Sequence, residues 1–357
     1  MSSKSSRARA TTEKENTEAS SKRLKTTTAE EVSSKMLSRR VLLNNGVSMP
    51  MVGFGTYKLK EGEVATATRA ALDAGYGLVD TAYVYGGGKT EALVGKALND
   101  SLFVITKQWR GEHGYDATLK CLETSLKRLG TDSVDLWLMH WPGPGYSAMG
   151  RSKKRIEEEG IETYFKKGHE DVANIRLETW RAMEDAYETG KCRAIGVSNF
   201  SADHLRKLLA WKDLRHKPTV NQIEFHPYLQ QTELVKLCQD NDIVVQAYAS
   251  LGGQDTKPKD WQTLGQPALV DHPLINDLAA NYSVSRAAVL LRWALQKNVA
   301  VIPKSKSAQR IRQNAIDLDT FTISEPHMAQ IDNLNLGDAM EGRLCWRRDE
   351  MRLLDFD

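Results

Sequence analysis

From Val41 onward, short apolar runs alternate with longer segments in which apolar residues recur every three or four positions. The first runs, Val41-Leu42-Leu43 and Met51-Val52-Gly53-Phe54-Gly55-Thr56, flank Asn44-Asn45-Gly46 and predict a hairpin on an Asn-Gly turn that feeds a first strand. Helical periodicity then repeatedly precedes a short apolar run. Helix 63–74 comes before strand 77–80, 90–99 before 102–106, 116–129 before 134–139, and 176–189 before 193–197. The rhythm continues with 201–211 before 219–223, 231–240 before 243–248, and 285–297 before 299–302. Eight strands alternating with helices predict the α/β class and one closed (β/α)8 TIM barrel over 41–357. An open doubly wound sheet is the alternative, but it would normally carry a glycine-rich dinucleotide fingerprint after its first strand, and none stands there.

Two stretches fall outside the rhythm. Residues 1–40 are rich in Ser, Thr, Lys and Glu and hold no aromatic residue, so they are expected to be a disordered tail dispensable for chemistry. Their first twelve residues are basic and free of acids, as a transit peptide is, but Glu13, Glu15 and Glu18 follow. Ser21-Lys22-Arg23-Leu24-Lys25 resembles a nuclear address. A solvated tail on a cytoplasmic protein is the expectation, with organellar or nuclear targeting left open. The second stretch lies between Pro142 and Glu178, where Arg151-Ser152-Lys153-Lys154-Arg155 adjoins Glu157-Glu158-Glu159; such blocks predict an exposed, ion-paired helix in a solvated insertion.

Composition narrows the partners. The chain has 357 residues and a formal charge of +3, yet residues 1–40 alone carry ten Lys or Arg against five Glu, so the rest is close to neutral. The body therefore has no basic surplus of the kind that marks a nucleic-acid binder. Four widely spaced cysteines, with no C-x-x-C pair, suggest neither a disulfide framework nor a zinc site, and fit a reducing compartment. No apolar run approaches the roughly 18 residues that span a bilayer, so no membrane partner is expected, and the sequons at Asn99, Asn199 and Asn281 are read as chance matches. Gly86-Gly87-Gly88-Lys89-Thr90 suggests a phosphate loop, but Tyr83 stands where that pattern requires its first glycine.

Candidate chemistry gathers at three consecutive strand ends. Leu78-Val79 runs into Asp80 with Tyr85 five residues on, Phe103-Val104-Ile105-Thr106 runs into Lys107, and Leu136-Trp137-Leu138-Met139 runs into His140. Each has a bland reading: a rim ion pair for Asp80 and Lys107, a packing tyrosine, a satisfied barrel histidine. Together, at the ends where barrel enzymes place their sites, they make more sense as one mutually compensating cluster. Turning a carbonyl into an alcohol takes hydride at carbon and a proton at oxygen, and a tyrosine of pKa ~10 is a poor acid at neutral pH. An adjacent Lys107 would lower the Tyr85 pKa, Asp80 would hold Lys107 charged, and a His140 N–H would polarise the carbonyl.

The strings DTAYVYG, TK after the third strand and LMHWP after the fourth resemble the Asp/Tyr/Lys/His tetrad of the aldo-keto reductases, and the likeness runs from about residue 41 to the C-terminus. The resemblance implies an NADPH/NADP cofactor, with Ser198, Asn199 and Gln222 on the nicotinamide carboxamide, Tyr248 stacked on the ring, and Thr56 and Ser250 also in the cofactor site. The segment Ile302-Pro303-Lys304-Ser305-Lys306-Ser307 through Asn314 is similar to the family's adenosine-phosphate signature. There Lys304, Ser305 and Arg310 would grip the 2′-phosphate and Asn314 the adenine, while Gln313 stands where the family commonly has Glu. By the same likeness Tyr57, Trp109, His140 and Trp141 would line an aromatic substrate pocket, and Trp346 is a candidate from the C-terminal tail. The function implied is NADPH-dependent reduction of small aldehydes or ketones by a monomer with Tyr85 as proton donor. The alternative is a non-catalytic NADPH-binding regulatory subunit on the same fold, as the likeness to potassium-channel β subunits allows.

Overall fold

The computed structural model describes residues 34–99, 101–143, 161–253, 265–337, 343 and 345, with only the backbone of residues 34–35 and 161–171. Trp346, residues 1–33 and the charged block 151–159 lie outside the described residues.

A hairpin opens the fold, with β1 (Arg40–Leu42) antiparallel to β2 (Ser48–Pro50) and Val41 opposite Met49. Its turn depends on Gly46 at φ 86°, a left-handed conformation open to glycine at no steric cost. The tip is tied to the barrel by the Asn44 amide, which donates to the Pro218 carbonyl at 3.0 Å, and by the Asn45 amide, which donates to the Arg193 carbonyl at 3.0 Å. Both carbonyls lie just before barrel strands, so the hairpin closes the N-terminal end and leaves the opposite end to the site.

Eight parallel strands follow: β3 (Phe54–Gly55), β4 (Leu78–Asp80), β5 (Phe103–Gln108), β6 (Leu136–Met139), β7 (Ile195–Ser198), β8 (Val220–Glu224), β9 (Val244–Tyr248) and β10 (Ala300–Val301). They pair in sequence order, and the ends meet where Val52 bridges Val301, with Gly53 N donating to Val301 O and Val301 N to Met51 O, both at 2.8 Å. The sheet is thus a closed barrel. Each strand is buried on both faces, as the unbroken apolar runs require when helices cover the outside.

The covering helices are α1 (Glu61–Asp73), α2 (Lys89–Gly95), α3 (Tyr115–Leu129), α4 (Ile161–Glu188), α5 (Ala202–Leu209) and α6 (Thr232–Asp240), then α7 (Pro273–Tyr282), α8 (Arg286–Gln296), α9 (Ala308–Asp317) and α10 (Glu325–Asp332). Helix α4 starts fifteen residues before the periodicity placed it, because the polar run Lys166-Lys167-Gly168-His169-Glu170-Asp171 interrupts the apolar spacing in its sequence. Helices α7 and α10 are additions to the eight-fold repeat that the pattern did not announce.

The boundary of the tail also moves. Ser34–Leu37 form one helical turn, Leu37 is buried, Met36 N donates to Asp319 Oδ1 at 2.7 Å, and the Arg39 guanidinium donates to Asn298 Oδ1 at 3.0 Å. The ordered body therefore begins before residue 41. Burying a leucine is worth about 1.5–3 kcal/mol, and 1 kcal/mol moves Tm by about 2–4 °C in a domain of this size. A chain starting at Arg40 should accordingly melt about 3–12 °C below one starting at Ser34, and equal melting temperatures would show that the turn contributes nothing.

Candidate active site

The parallel register places the strand-end residues side by side. Lys107 lies opposite Leu138 in the β5–β6 pair, two residues before His140, and Asp80 lies opposite Ile105 in the β4–β5 pair. Lys107 is wholly buried, so its ammonium has to be met by protein groups. It donates to both Asp80 oxygens at 2.7 and 2.6 Å, to the Thr81 carbonyl at 2.8 Å, and to the Tyr85 hydroxyl at 3.4 Å. Its charge is thereby matched chiefly by Asp80 and only extended toward Tyr85.

That division changes one expectation. Burial and the Asp80 charge push the Tyr85 phenol well above its usual range rather than Lys107 drawing it down, since the ammonium sits closer to the carboxylate than to the phenol. Burial also pulls Lys107 below the usual lysine range, against the opposing Asp80 charge. The consequence is a phenol that keeps its proton at neutral pH. His140 is held well below its usual range by burial, then by the Lys107 and Arg110 charges, so its ring is neutral and carries one N–H.

Around these groups the aromatics close in. His140 meets Tyr85 edge-on with ring centroids 5.9 Å apart, meets Trp109 at 5.6 Å, and stacks on Trp141 at 6.0 Å. Tyr57 tilts against Tyr85 at 5.0 Å. Tyr57, Trp109 and Trp141 are therefore brought to the tetrad.

The glycine loop proves to be a structural device behind Tyr85. Gly86, Gly87 and Gly88 have φ of 56°, 66° and 89°, and the Arg128 guanidinium packs against Gly88 while donating to Tyr83 O at 3.0 Å and Glu91 Oε2 at 3.1 Å. Glu91 is buried and also accepts from Thr106 Oγ1 at 2.6 Å. Nothing in the sequence separated Glu91 from an ordinary surface helix residue. A Cβ at Gly88 would stand 2.4 Å from Arg128 Cζ, whereas one at Gly87 would meet open space. Both Ala variants bear the left-handed penalty of about 1–2 kcal/mol, so Gly88→Ala should melt lower than Gly87→Ala and lose more activity. Equal losses in both would mean that Arg128 yields without cost.

The later strand ends carry the polar groups. Ser198 Oγ donates to Gln222 O at 2.8 Å, the Asn199 amide donates to His140 O at 2.9 Å, and Tyr248 OH donates to Asn199 Oδ1 at 2.6 Å. Asn199 adopts φ 61°, which suits an asparagine better than most residues. Gln222 Nε2 donates to Asp80 Oδ2 at 2.8 Å and to Gln246 Oε1 at 2.7 Å. Thr56 Oγ1 donates to Asp80 O at 2.8 Å, and Ser250 Oγ to Ala247 O at 3.4 Å. Ser198, Asn199, Tyr248, Thr56 and Ser250 stand at or just beyond the C-terminal strand ends, while Gln222 and Gln246 lie within their strands inside the barrel; Gln246 is the one that the sequence did not single out.

After β10 the chain turns into α9, capped by Ser307, whose Oγ accepts from Arg310 N at 3.3 Å. Buried Ser305 offers its Oγ to Ser307 N at 3.1 Å and to Arg310 Nε at 3.3 Å, which brings a guanidinium to the helix start beside Lys304. Cations and hydroxyls at a helix N-terminus suit an anion. Asn314 is buried one turn on from Arg310, while the Gln313 amide bonds Asp317 along its own helix. Among the described residues there is no cluster of metal-binding side chains and no helix long and apolar enough to cross a membrane.

Comparison with known proteins agrees with this geometry. Residues 51–336 match the model of the aldo/keto reductase family. The chain is similar to a glyoxal reductase of Bacillus subtilis, 39% identical over 306 residues that cover 84% of this chain and 94% of that protein. It is also similar to aldo-keto reductase family 1 member A1-A of Danio rerio, 36% identical over 328 residues, 87% of this chain and 96% of that one. Among solved structures, a Bombyx mori aldo-keto reductase in complex with NADP superposes with a TM-score of 0.70 at 31% identity, covering 87% of this chain and 96% of that chain.

Proposed function

The chain belongs to the aldo/keto reductase family, and on that premise we propose that it is an NADPH-dependent reductase of small aldehydes or ketones in which Tyr85 delivers the proton. The observation that carries the reading is the buried Asp80–Lys107 pair whose ammonium reaches the Tyr85 hydroxyl at 3.4 Å, with neutral His140 beside it.

The residues fit the cofactor. Gln222 Oε1 meets no donor among the described residues, Asn199 and Tyr248 stand at the adjoining rim, and Lys304, Ser305 and Arg310 cluster at the start of α9. In this reading Ser198, Asn199 and Gln222 hold the nicotinamide carboxamide, Tyr248 faces its ring, Asn314 meets the adenine, and Thr56 and Ser250 complete the site. Bound NADPH supplies the hydride. Tyr85 transfers its hydroxyl proton to the carbonyl oxygen as negative charge develops there, and the Lys107 ammonium stabilises the phenolate left behind, which solvent reprotonates. The single N–H of His140 donates to the same oxygen and fixes it against the aromatic wall of Tyr57, Trp109 and Trp141.

Absorbance-monitored NADPH oxidation with a panel of aldehydes and ketones tests the reading. Turnover of aromatic or short aliphatic carbonyls is expected. NADPH binding without oxidation by any carbonyl would instead mark a regulatory subunit on the same fold.

A further inference from the structure

We propose that Gln246 is a positioning residue that fixes how Gln222 presents its amide to the nicotinamide carboxamide. The proposal rests on the cofactor reading above. Gln222 and Gln246 lie directly opposite each other in the β8–β9 register, and both are buried. A carboxylate only accepts, so Gln222 must turn its nitrogen toward Asp80 Oδ2, 2.8 Å away. Its second N–H is then taken by Gln246 Oε1 at 2.7 Å. With both donors spent inside the barrel, the only group Gln222 can offer a ligand is its Oε1, which suits the N–H2 of a carboxamide.

The same bonds make a chain from Lys107 through Asp80 and Gln222 to Gln246, crossing β5, β4, β8 and β9. Gln246 is its last member, and its own Nε2 is buried with no partner among the described residues. A buried amide N–H without an acceptor ordinarily destabilises a fold, and an aliphatic side chain at this strand position would avoid it. What a glutamine provides there is one neutral acceptor for Gln222, without placing a second negative charge beside Asp80.

The test compares dissociation constants for NADPH and for adenosine 2′,5′-bisphosphate, which carries the adenosine 2′-phosphate half without nicotinamide. Gln246→Leu should weaken NADPH by about three- to tenfold, the worth of one neutral hydrogen bond. It should leave the bisphosphate within about twofold of wild type, because no contact to that half changes. Its Tm should stay near that of wild type, since the orphaned N–H of Gln246 is exchanged for one on Gln222 that has lost its acceptor, whereas a merely structural role would lower Tm and weaken both ligands in parallel. Unchanged NADPH binding in Gln246→Leu, or parallel weakening of both ligands, would overturn the proposal. Failure of the wild-type protein to bind either ligand would instead overturn the cofactor reading beneath it.

Discussion

Replacing Tyr85 with phenylalanine should lower kcat by about 10²- to 10⁴-fold, the usual worth of a positioned general acid, while NADPH affinity stays within a few fold. The change removes one hydroxyl and leaves the ring, so Tyr57 and His140, at centroid distances of 5.0 and 5.9 Å, keep their neighbour. Lys107 also keeps its two bonds to Asp80 and the one to Thr81 O. The chain from Asp80 to Gln222 and Gln246 is untouched, and no contact to the start of α9 involves Tyr85. A lysine variant is a poorer probe of the same step. Lys107→Met would strand a buried carboxylate at Asp80, and breaking a buried pair from one side typically destabilises by about 3–5 kcal/mol. Lost activity there would mix lost charge with lost fold.

The double variant Lys304→Ala with Arg310→Ala should erase most of a preference for NADPH over NADH. A 2′-phosphate beside two cations gains charge-assisted contacts worth about 1.5–3 kcal/mol each, so wild type should favour NADPH by roughly two orders of magnitude or more in dissociation constant. The helix start itself survives the change, because Ser307 caps α9 through the Arg310 backbone N–H rather than its guanidinium. Removing the guanidinium does release Ser305 Oγ from the Arg310 Nε contact at 3.3 Å, yet Ser307 N still donates to that oxygen. NADPH should weaken while NADH holds. Equal weakening of both cofactors would show that these cations do not read the phosphate.

How far the site was legible in the sequence follows from how local each feature is. Asp80, Lys107 and His140 announce themselves because each ends a short apolar run, where a titratable group stands out, and a barrel brings consecutive strand ends together without further information. Features built across the barrel were not legible. The Gln222–Asp80 bond joins residues 142 apart in sequence, and Gln246 reads as one polar residue inside an apolar strand until Gln222 is found opposite it. Arg128 and Glu91 look like ordinary charged helix residues, and only the turn at Gly86–Gly88 makes them the support of the loop behind Tyr85.

Two expectations failed for physical reasons of the same kind. The tail was expected to extend to residue 40 because the stretch is rich in Ser, Thr, Lys and Glu without aromatics, and the short pair Met36-Leu37 makes no pattern even though Leu37 is buried. The Tyr85 proton was expected to be loosened by Lys107, which follows from proximity alone. Burial and the Asp80 carboxylate dominate once the distances are known. The proposed chemistry stays consistent, since a Tyr85 that holds its proton at neutral pH would be ready to donate it in reduction, with Lys107 then acting on the phenolate as it forms.

The account stands most directly on whether Tyr85 supplies the proton, and rapid mixing of the NADPH complex with an aldehyde measures that step before cofactor release intervenes. Wild-type protein and Tyr85→Phe should bind NADPH alike, and the single-turnover rate of NADPH oxidation should fall by about 10²- to 10⁴-fold in the variant. A variant that oxidised bound NADPH at the wild-type single-turnover rate would contradict the account and move the proton donor elsewhere, with His140 next in line.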